Sequence, residues 1–168
     1  MANMIPISTI TIGGSSVSTI QFTGIPQNYT DLKLVFSART TSGSGLAYST
    51  LTINGAQSTA VTFRNIVTEG SATVSTYTQA AYGTGGEVTS GGTPGTSPIF
   101  NSSELYFYNY SGNTAKAYSI DMMMGHLLWA WVSANALSLT APITSMSFYN
   151  VNNFAQYTTA TLYGIRKY

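Results

Sequence analysis

The chain carries few side chains capable of acid–base, nucleophilic or metal chemistry. Its 168 residues include one histidine and no cysteine, so thiolate chemistry and a histidine-based metal cluster have no ligands. The histidine, His126, lies in a methionine-rich segment and is interpreted as a structural turn residue. No serine lies in a G-x-S-x-G motif, so a hydrolase nucleophile is not expected. The sequence therefore predicts no catalytic residue, no metal site and no cofactor.

Two carboxylates keep one catalytic hypothesis open. Glu104 and Asp121 fall in successive predicted strands and would face each other if those strands formed a hairpin. Two acids at a suitable separation are enough for glycoside hydrolysis. The competing interpretation is that these acids pair with Lys116, Arg39 or Arg64 at a sheet edge or an interface. The second interpretation is preferred, and the protein is predicted not to be an enzyme.

The aromatic residues give a stronger signal than the acids. Tyr106, Tyr108 and Tyr110 alternate along one predicted strand, and Trp129 and Trp131 are two residues apart in another. Residues spaced in this way share one face of a strand. If exposed, they would form a protein interface or a platform for sugars, and if buried they would be part of the core. These five residues are the candidate binding residues.

The elements that position these residues are predicted to be short strands. Alternation of apolar and polar residues recurs along the chain and is clearest in Leu32–Ala38. In Ile5–Ile12 the alternation changes phase, which predicts a bulge. Val17–Phe22 is expected to form a hairpin with this first strand. The Asn54-Gly55 pair predicts a second hairpin, with Ala60–Ile66 as its returning strand.

About 8–11 such strands and no significant helix indicate an all-β protein. A strand-only chain of this length buries its inner faces by packing one sheet on another. We therefore predict a two-sheet antiparallel sandwich, jelly-roll-like, with a Greek-key sandwich as the alternative. Residues 1–168 are expected to form a single domain. Residues 83–98, rich in Gly, Ser and Thr, are expected to form a long exposed loop that either makes contacts or connects strands passively.

The composition favours a protein that works through contacts. Only 7% of the residues are charged and the net charge is +1, with no basic stripe for phosphates, so nucleic-acid binding is not expected. The N-terminal residues do not predict a signal peptide, the sequence contains no long apolar run, and no membrane partner is expected. A domain with so little charge repels its neighbours weakly, which suits a protein that buries much of its surface in an assembly.

Both ends of the chain resemble a group of virion proteins from tailed bacteriophages. The segment Ile10–Thr40 contains an I-P-x-x-Y-x-D-L turn that leads into a long alternating strand. The segment Ile143–Tyr168 closes on an L-Y-G-I pattern at Leu162–Ile165. The resemblance covers these two ends only and implies no catalytic residue. It implies a structural part of the phage particle, which is assembled in the host cytoplasm.

Two functions are compatible with this resemblance. The preferred one is a capsid decoration (cement) protein that bridges capsid subunits, with the major capsid protein or other virion proteins as partners. Such a protein is expected to be a homotrimer on three-fold axes. Its expected contact surfaces are Met4–Ile12, the Tyr106–Tyr110 stripe and the loop Gly83–Pro98. The alternative is a carbohydrate-binding or host-recognition module of a tail or head fibre, with glycans as ligands.

Overall fold

The described part of the chain is built from antiparallel strands. The computed structural model describes residues 3–41, 49–57, 61–69, 75–80, 99–124 and 129–166, and within these ranges it contains twelve strands and no helix. The strands are β1 (Asn3–Thr11), β2 (Val17–Phe22), β3 (Asp31–Ala38), β4 (Thr50–Ile53), β5 (Ala56–Gln57), β6 (Val61–Glu69), β7 (Ser75–Ala80), β8 (Asn101–Tyr108), β9 (Lys116–Met124), β10 (Trp129–Leu137), β11 (Met146–Phe154) and β12 (Thr159–Arg166).

These strands form one large and one small antiparallel sheet. The eight-stranded sheet has the order β1-β12-β3-β8-β9-β10-β6-β7, and the four-stranded sheet has the order β2-β11-β4-β5. The two sheets share one hydrophobic core, so the predicted all-β sandwich is confirmed. Below, the inner face of the large sheet is the face turned toward this core, and the outer face is the opposite one.

The pairing order is that of a jelly roll. β1 pairs with β12, β2 with β11, β3 with β8 and β4 with β5, so the chain is folded as one long ribbon of paired segments. β9, β10, β6 and β7 extend the large sheet beyond β8. We call these four strands the sheet extension. The strand count exceeds the predicted range partly because the two-residue β5 is too short to show alternation in the sequence.

Two predicted hairpins are wrong in their pairing. Val17–Phe22 does not pair with the first strand but with β11 in the small sheet, and β1 pairs with β12 in the large sheet. The Asn54-Gly55 turn returns into β5 (Ala56–Gln57), whereas β6 pairs with β10 in the large sheet. The physical reason is that alternation shows only that a strand has one buried face. It does not show whether the partner is the next strand or one far along the chain.

The Asn54-Gly55 turn itself is confirmed. Both residues have positive φ, 52° and 76°, as a tight two-residue hairpin requires. Asn54 also ties the turn to a distant segment, because its Oδ1 accepts hydrogen bonds from the backbone N–H of Thr144 at 2.8 Å and of Ser145 at 3.2 Å. The predicted bulge in the first strand is confirmed as well, since the pairing register of β1 shifts between Pro6 and Ser8.

The core lies between the jelly-roll strands. Leu32, Leu34 and Phe36 of β3 all point inward and are fully buried, as the alternation of Leu32–Ala38 predicts. Phe36 meets Phe148 of β11 edge to face, with ring centroids 5.0 Å apart. This contact joins the two sheets directly, so the side chains on the outer face of the large sheet rest on a rigid layer.

Candidate functional site

The predicted tyrosine stripe divides into a pair on the outer face, one half-buried and one exposed, and a core residue. Tyr106 and Tyr108 lie on the outer face of β8, where their rings are 4.7 Å apart and Tyr108 is 47% exposed. The strand ends there because Asn109 has φ of 46°, a conformation that asparagine tolerates better than most residues. Tyr110 is thereby turned into the core, where it is fully buried. We call Tyr106 and Tyr108 the tyrosine pair.

A buried carboxylate holds the tyrosine pair in place. The hydroxyl of Tyr106 donates a hydrogen bond of 2.8 Å to Oδ2 of Asp31, and the backbone N–H of Asn109 donates one of 2.8 Å to Oδ1. Asp31 is only 1% exposed, so its carboxylate depends on such donors. No sequence signal links Asp31, the first residue of β3, to a tyrosine 75 residues later, so the sequence does not predict this contact.

The chemistry of Tyr106 is that of a hydrogen-bond donor. Burial, together with the hydrogen bond to Asp31 and the negative charge of that carboxylate, raises the pKa of Tyr106 well above its usual value. The phenol is therefore held as a hydrogen-bond donor to Asp31. A fixed tyrosine beside an exposed one offers a flat aromatic surface at low entropic cost, which is typical of contact sites.

The two candidate catalytic acids do face each other. Glu104 and Asp121 are direct cross-strand partners in the β8–β9 hairpin, as predicted, and both are exposed on the outer face. Glu104 forms an ion pair with Lys33, whose Nζ lies 2.7 Å from its Oε2. The arrangement is a surface ion pair with a second acid beside it, and such pairs contribute little to stability.

The expected basic partners of these acids lie elsewhere. Lys116 is buried, and its Nζ donates hydrogen bonds to the carbonyl oxygens of Thr114 at 2.6 Å and Thr140 at 3.3 Å. Burial lowers the pKa of Lys116. The guanidinium of Arg39 lies over the ring of Phe100 at 5.4 Å. The prediction that Lys116 or Arg39 pairs with these acids is therefore wrong, because each has partners of its own.

Trp131 faces the core. It stands opposite Met122 of β9 and Val67 of β6, both buried, and packs against the hydrophobic core cluster. Its indole Nε1 is buried and makes no hydrogen bond within the described part of the chain. Trp129 lies two residues earlier on the same strand, and its side chain falls outside those described. A sugar platform on this strand therefore gains no support from Trp131.

The first strand is an edge. β1 is the first strand in the order of the large sheet, and β12 is its neighbour. Met4 is 50% exposed and Ile5 is partly buried. An edge strand presents backbone donors and acceptors to any chain that adds a strand beside it. The expected contact segment Met4–Ile12 therefore has the geometry of a docking edge, whereas the loop 83–98 and His126 lie outside the described residues.

The motifs behind the family resemblance meet at one corner of the fold. Tyr29, from the I-P-x-x-Y-x-D-L turn, packs its ring on the backbone of Gly164, from the L-Y-G-I pattern. The guanidinium of Arg166 covers the same ring at 5.2 Å. The backbone N–H of Thr30 donates a hydrogen bond of 2.8 Å to the carbonyl oxygen of Ile165. We call this group the Tyr29–Gly164 corner, and its residues hold the fold together.

Searches for other functional features give negative results. Among the described residues, no group of three or more histidine, cysteine or acidic side chains is placed to hold a metal ion. No helix in the described ranges is long and apolar enough to cross a membrane. Comparison with protein-family models, with curated proteins and with solved structures yields no significant match.

Proposed function

We propose that the chain is a structural virion protein of a tailed bacteriophage, a capsid decoration (cement) protein that bridges capsid subunits. Its partners would be the major capsid protein or other virion proteins, and it would reside in the virion after assembly in the host cytoplasm. The observation that carries the proposal is the tyrosine pair, a braced aromatic contact surface on a domain with 7% charged residues. The resemblance of the two chain ends to virion proteins supplies the phage context.

The mechanism of such a protein is mechanical. A stable protein interface buries roughly 1,200–2,000 Å² in total, and a rigid aromatic anchor near its centre carries much of the affinity. Tyr108 supplies exposed aromatic area, while Asp31 fixes Tyr106 beside it. The edge strand β1 supplies a second, backbone-based contact. Two separate contact surfaces are what a bridge between neighbouring subunits requires.

The competing functions have less support. The carbohydrate-binding alternative relied on Trp129, Trp131 and the loop 83–98, and Trp131 packs against the core. An enzyme relied on Glu104 and Asp121, of which Glu104 is bound by Lys33 on an exposed sheet face. We therefore propose a non-enzymatic contact protein.

The proposal is tested with phage particles that lack the chain. Particles assembled without it should release their DNA at a lower temperature than wild-type particles, and adding the purified protein should restore the higher temperature. The variant Tyr108→Ala should bind these particles more weakly. Tyr149→Ala, which removes a tyrosine of similar exposure from the small sheet, is the matched control and should bind normally. Particles that are equally heat-resistant without the chain, and that do not bind it when it is added, would contradict the proposal.

A further inference from the structure

The outer face of the sheet extension carries a group of exposed apolar side chains. Ile66, Met123 and Val132 lie on it and are 53%, 54% and 48% exposed. Ile66 and Val132 are direct cross-strand partners, and Met123 stands opposite Ala130. Contiguous exposed apolar residues of this kind mark interaction sites on soluble proteins. We call Ile66, Met123, Val132 and the alanines around them the extension patch.

The extension patch is shaped for another flat sheet. Ala130, Ala134 and Ala136 lie on the outer face of β10 together with Val132, and Ala117 of β9 stands opposite Ala136. Small residues around a few larger ones let a second sheet approach to the spacing of about 10 Å found in sandwiches. The patch therefore suits face-to-face packing by another β-sheet.

Two exposed charged residues border the patch. Asp121 of β9 stands beside Val132, and Arg64 of β6 stands opposite Ala134, so β10 separates the two. Both side chains are exposed, and neither forms an ion pair within the described residues. Asp121 also faces the like charge of Glu104 across the β8–β9 pair, which is unfavourable. The patch is thus flanked by one exposed charge of each sign, on either side of β10.

This arrangement is self-complementary. A two-fold axis running along β10 would place β6 of one copy over β9 of the other. Arg64 is level with Ala134 and Asp121 is level with Val132, so Arg64 would lie two residues along the strand from Asp121 of the second copy. An arginine side chain can reach across that distance. The symmetry would form this ion pair twice, as in an isologous dimer. From this charge pattern we infer that the occupant of the extension patch is a second copy of the same chain.

The inferred homodimer differs from the trimer expected from the family resemblance, and it does not depend on the proposed function. Charge-reversed variants of the full chain test it by sedimentation velocity. The wild-type protein should sediment as a dimer. Asp121→Arg and Arg64→Asp should each raise the dimer dissociation constant by about 100-fold or more. Each substitution replaces both Arg64–Asp121 ion pairs by pairs of like charges. Circular dichroism should show both variants folded, since the substituted side chains are exposed.

Mixing the two variants provides the decisive control. One Asp121→Arg chain and one Arg64→Asp chain would restore both ion pairs, so the mixture should form a heterodimer although each variant alone is monomeric. A wild-type protein that is monomeric or trimeric would overturn the inference. So would a dimer that neither substitution weakens, or a mixture that fails to associate. All of these outcomes are measured as the mass of the protein in solution. None of them decides whether the chain is a capsid protein, which the particle experiment tests separately.

Discussion

Asp31 sets the geometry of the candidate site at the scale of single residues. Its carboxylate accepts hydrogen bonds from the Tyr106 hydroxyl and from the backbone N–H of Asn109. The first bond fixes one member of the tyrosine pair, and the second supports the turn that ends β8 and sends Tyr110 into the core. One buried side chain thus contacts both the tyrosine pair on the outer face and the turn that leads to the buried Tyr110.

Removing the hydroxyl of Tyr106 tests this role. Tyr106→Phe should lower the free energy of unfolding by about 1.5–3 kcal/mol, because a buried carboxylate loses one of its donors. Tyr108→Phe is the matched control, since that ring is exposed, and it should change stability by less than about 0.5 kcal/mol. Urea unfolding of the two variants measures both values. Equal losses in the two variants would mean that the bond to Asp31 is not important for stability.

The buried tyrosines predict a loss of stability at alkaline pH. Burial raises the pKa of Tyr110 and Tyr118, and burial together with Asp31 raises that of Tyr106. In the unfolded chain these phenols ionise near a pKa of about 10, so their contribution is complete below that pH and is lost as the pH rises above it.

Absorbance at 295 nm follows this ionisation. Part of the tyrosine absorbance should appear only together with unfolding, and urea midpoints should fall between about pH 9 and pH 11. Tyr118→Phe should make that fall shallower than in the wild-type protein. Smooth titration of all twelve tyrosines without unfolding would contradict the prediction.

The Tyr29–Gly164 corner is a joint between elements. A Cβ at position 164 would overlap the ring of Tyr29, so only glycine fits there. Gly164→Ala should therefore cost about 1–3 kcal/mol of stability through overpacking. Gly13→Ala is the matched control, because nothing lies within 4 Å of a Cβ at that position.

A double mutant separates crowding at this corner from other causes. In a Tyr29→Ala background, Gly164→Ala should cost less than about 0.5 kcal/mol, because the obstructing ring is gone. The two free energies of unfolding come from chemical denaturation of the single and double variants. An undiminished cost would show that Tyr29 is not the obstruction.

The contact between Phe36 and Phe148 joins the two sheets. Replacing either residue by alanine should cost about 3–5 kcal/mol, because both side chains are fully buried. A double-mutant cycle should give a coupling of about 0.5–1.5 kcal/mol for the edge-to-face pair. Tyr149→Ala, one residue along β11 and exposed, should change stability by only about 0.5 kcal/mol. A coupling near zero would mean that the two rings stabilise their own sheets independently.

The sequence predicts strands better than it predicts their partners. Alternation identifies the core face of β3 and the facing acids Glu104 and Asp121, because both follow from local periodicity. Pairings such as β1 with β12 depend on packing between distant segments and leave no local signal. The second half of β10 gives no clear alternation, because its inward-facing residues Ser133 and Asn135 are polar. The alternation places Tyr110 on the same strand face as Tyr106 and Tyr108. The left-handed backbone of Asn109 ends the strand before Tyr110, and this conformation cannot be predicted from the alternation.

At the scale of the whole molecule, few charges coincide with several proposed contact surfaces. The jelly roll supplies a rigid core, the tyrosine pair and β1 are two proposed contact surfaces, and the extension patch, next to the tyrosine pair on the same outer face, is a third. With a net charge of only +1, the free protein has little electrostatic repulsion to keep its copies apart. These properties together favour a protein whose working state is an assembly.

The copy number of the chain in purified virions tests the central claim most directly. Quantitative mass spectrometry would measure it relative to the major capsid protein of the same particles. A decoration protein should have a fixed copy number close to the copy number of the major capsid protein, because it covers the whole shell. Absence from the particle, or a copy number matching that of the tail fibres, would contradict the account.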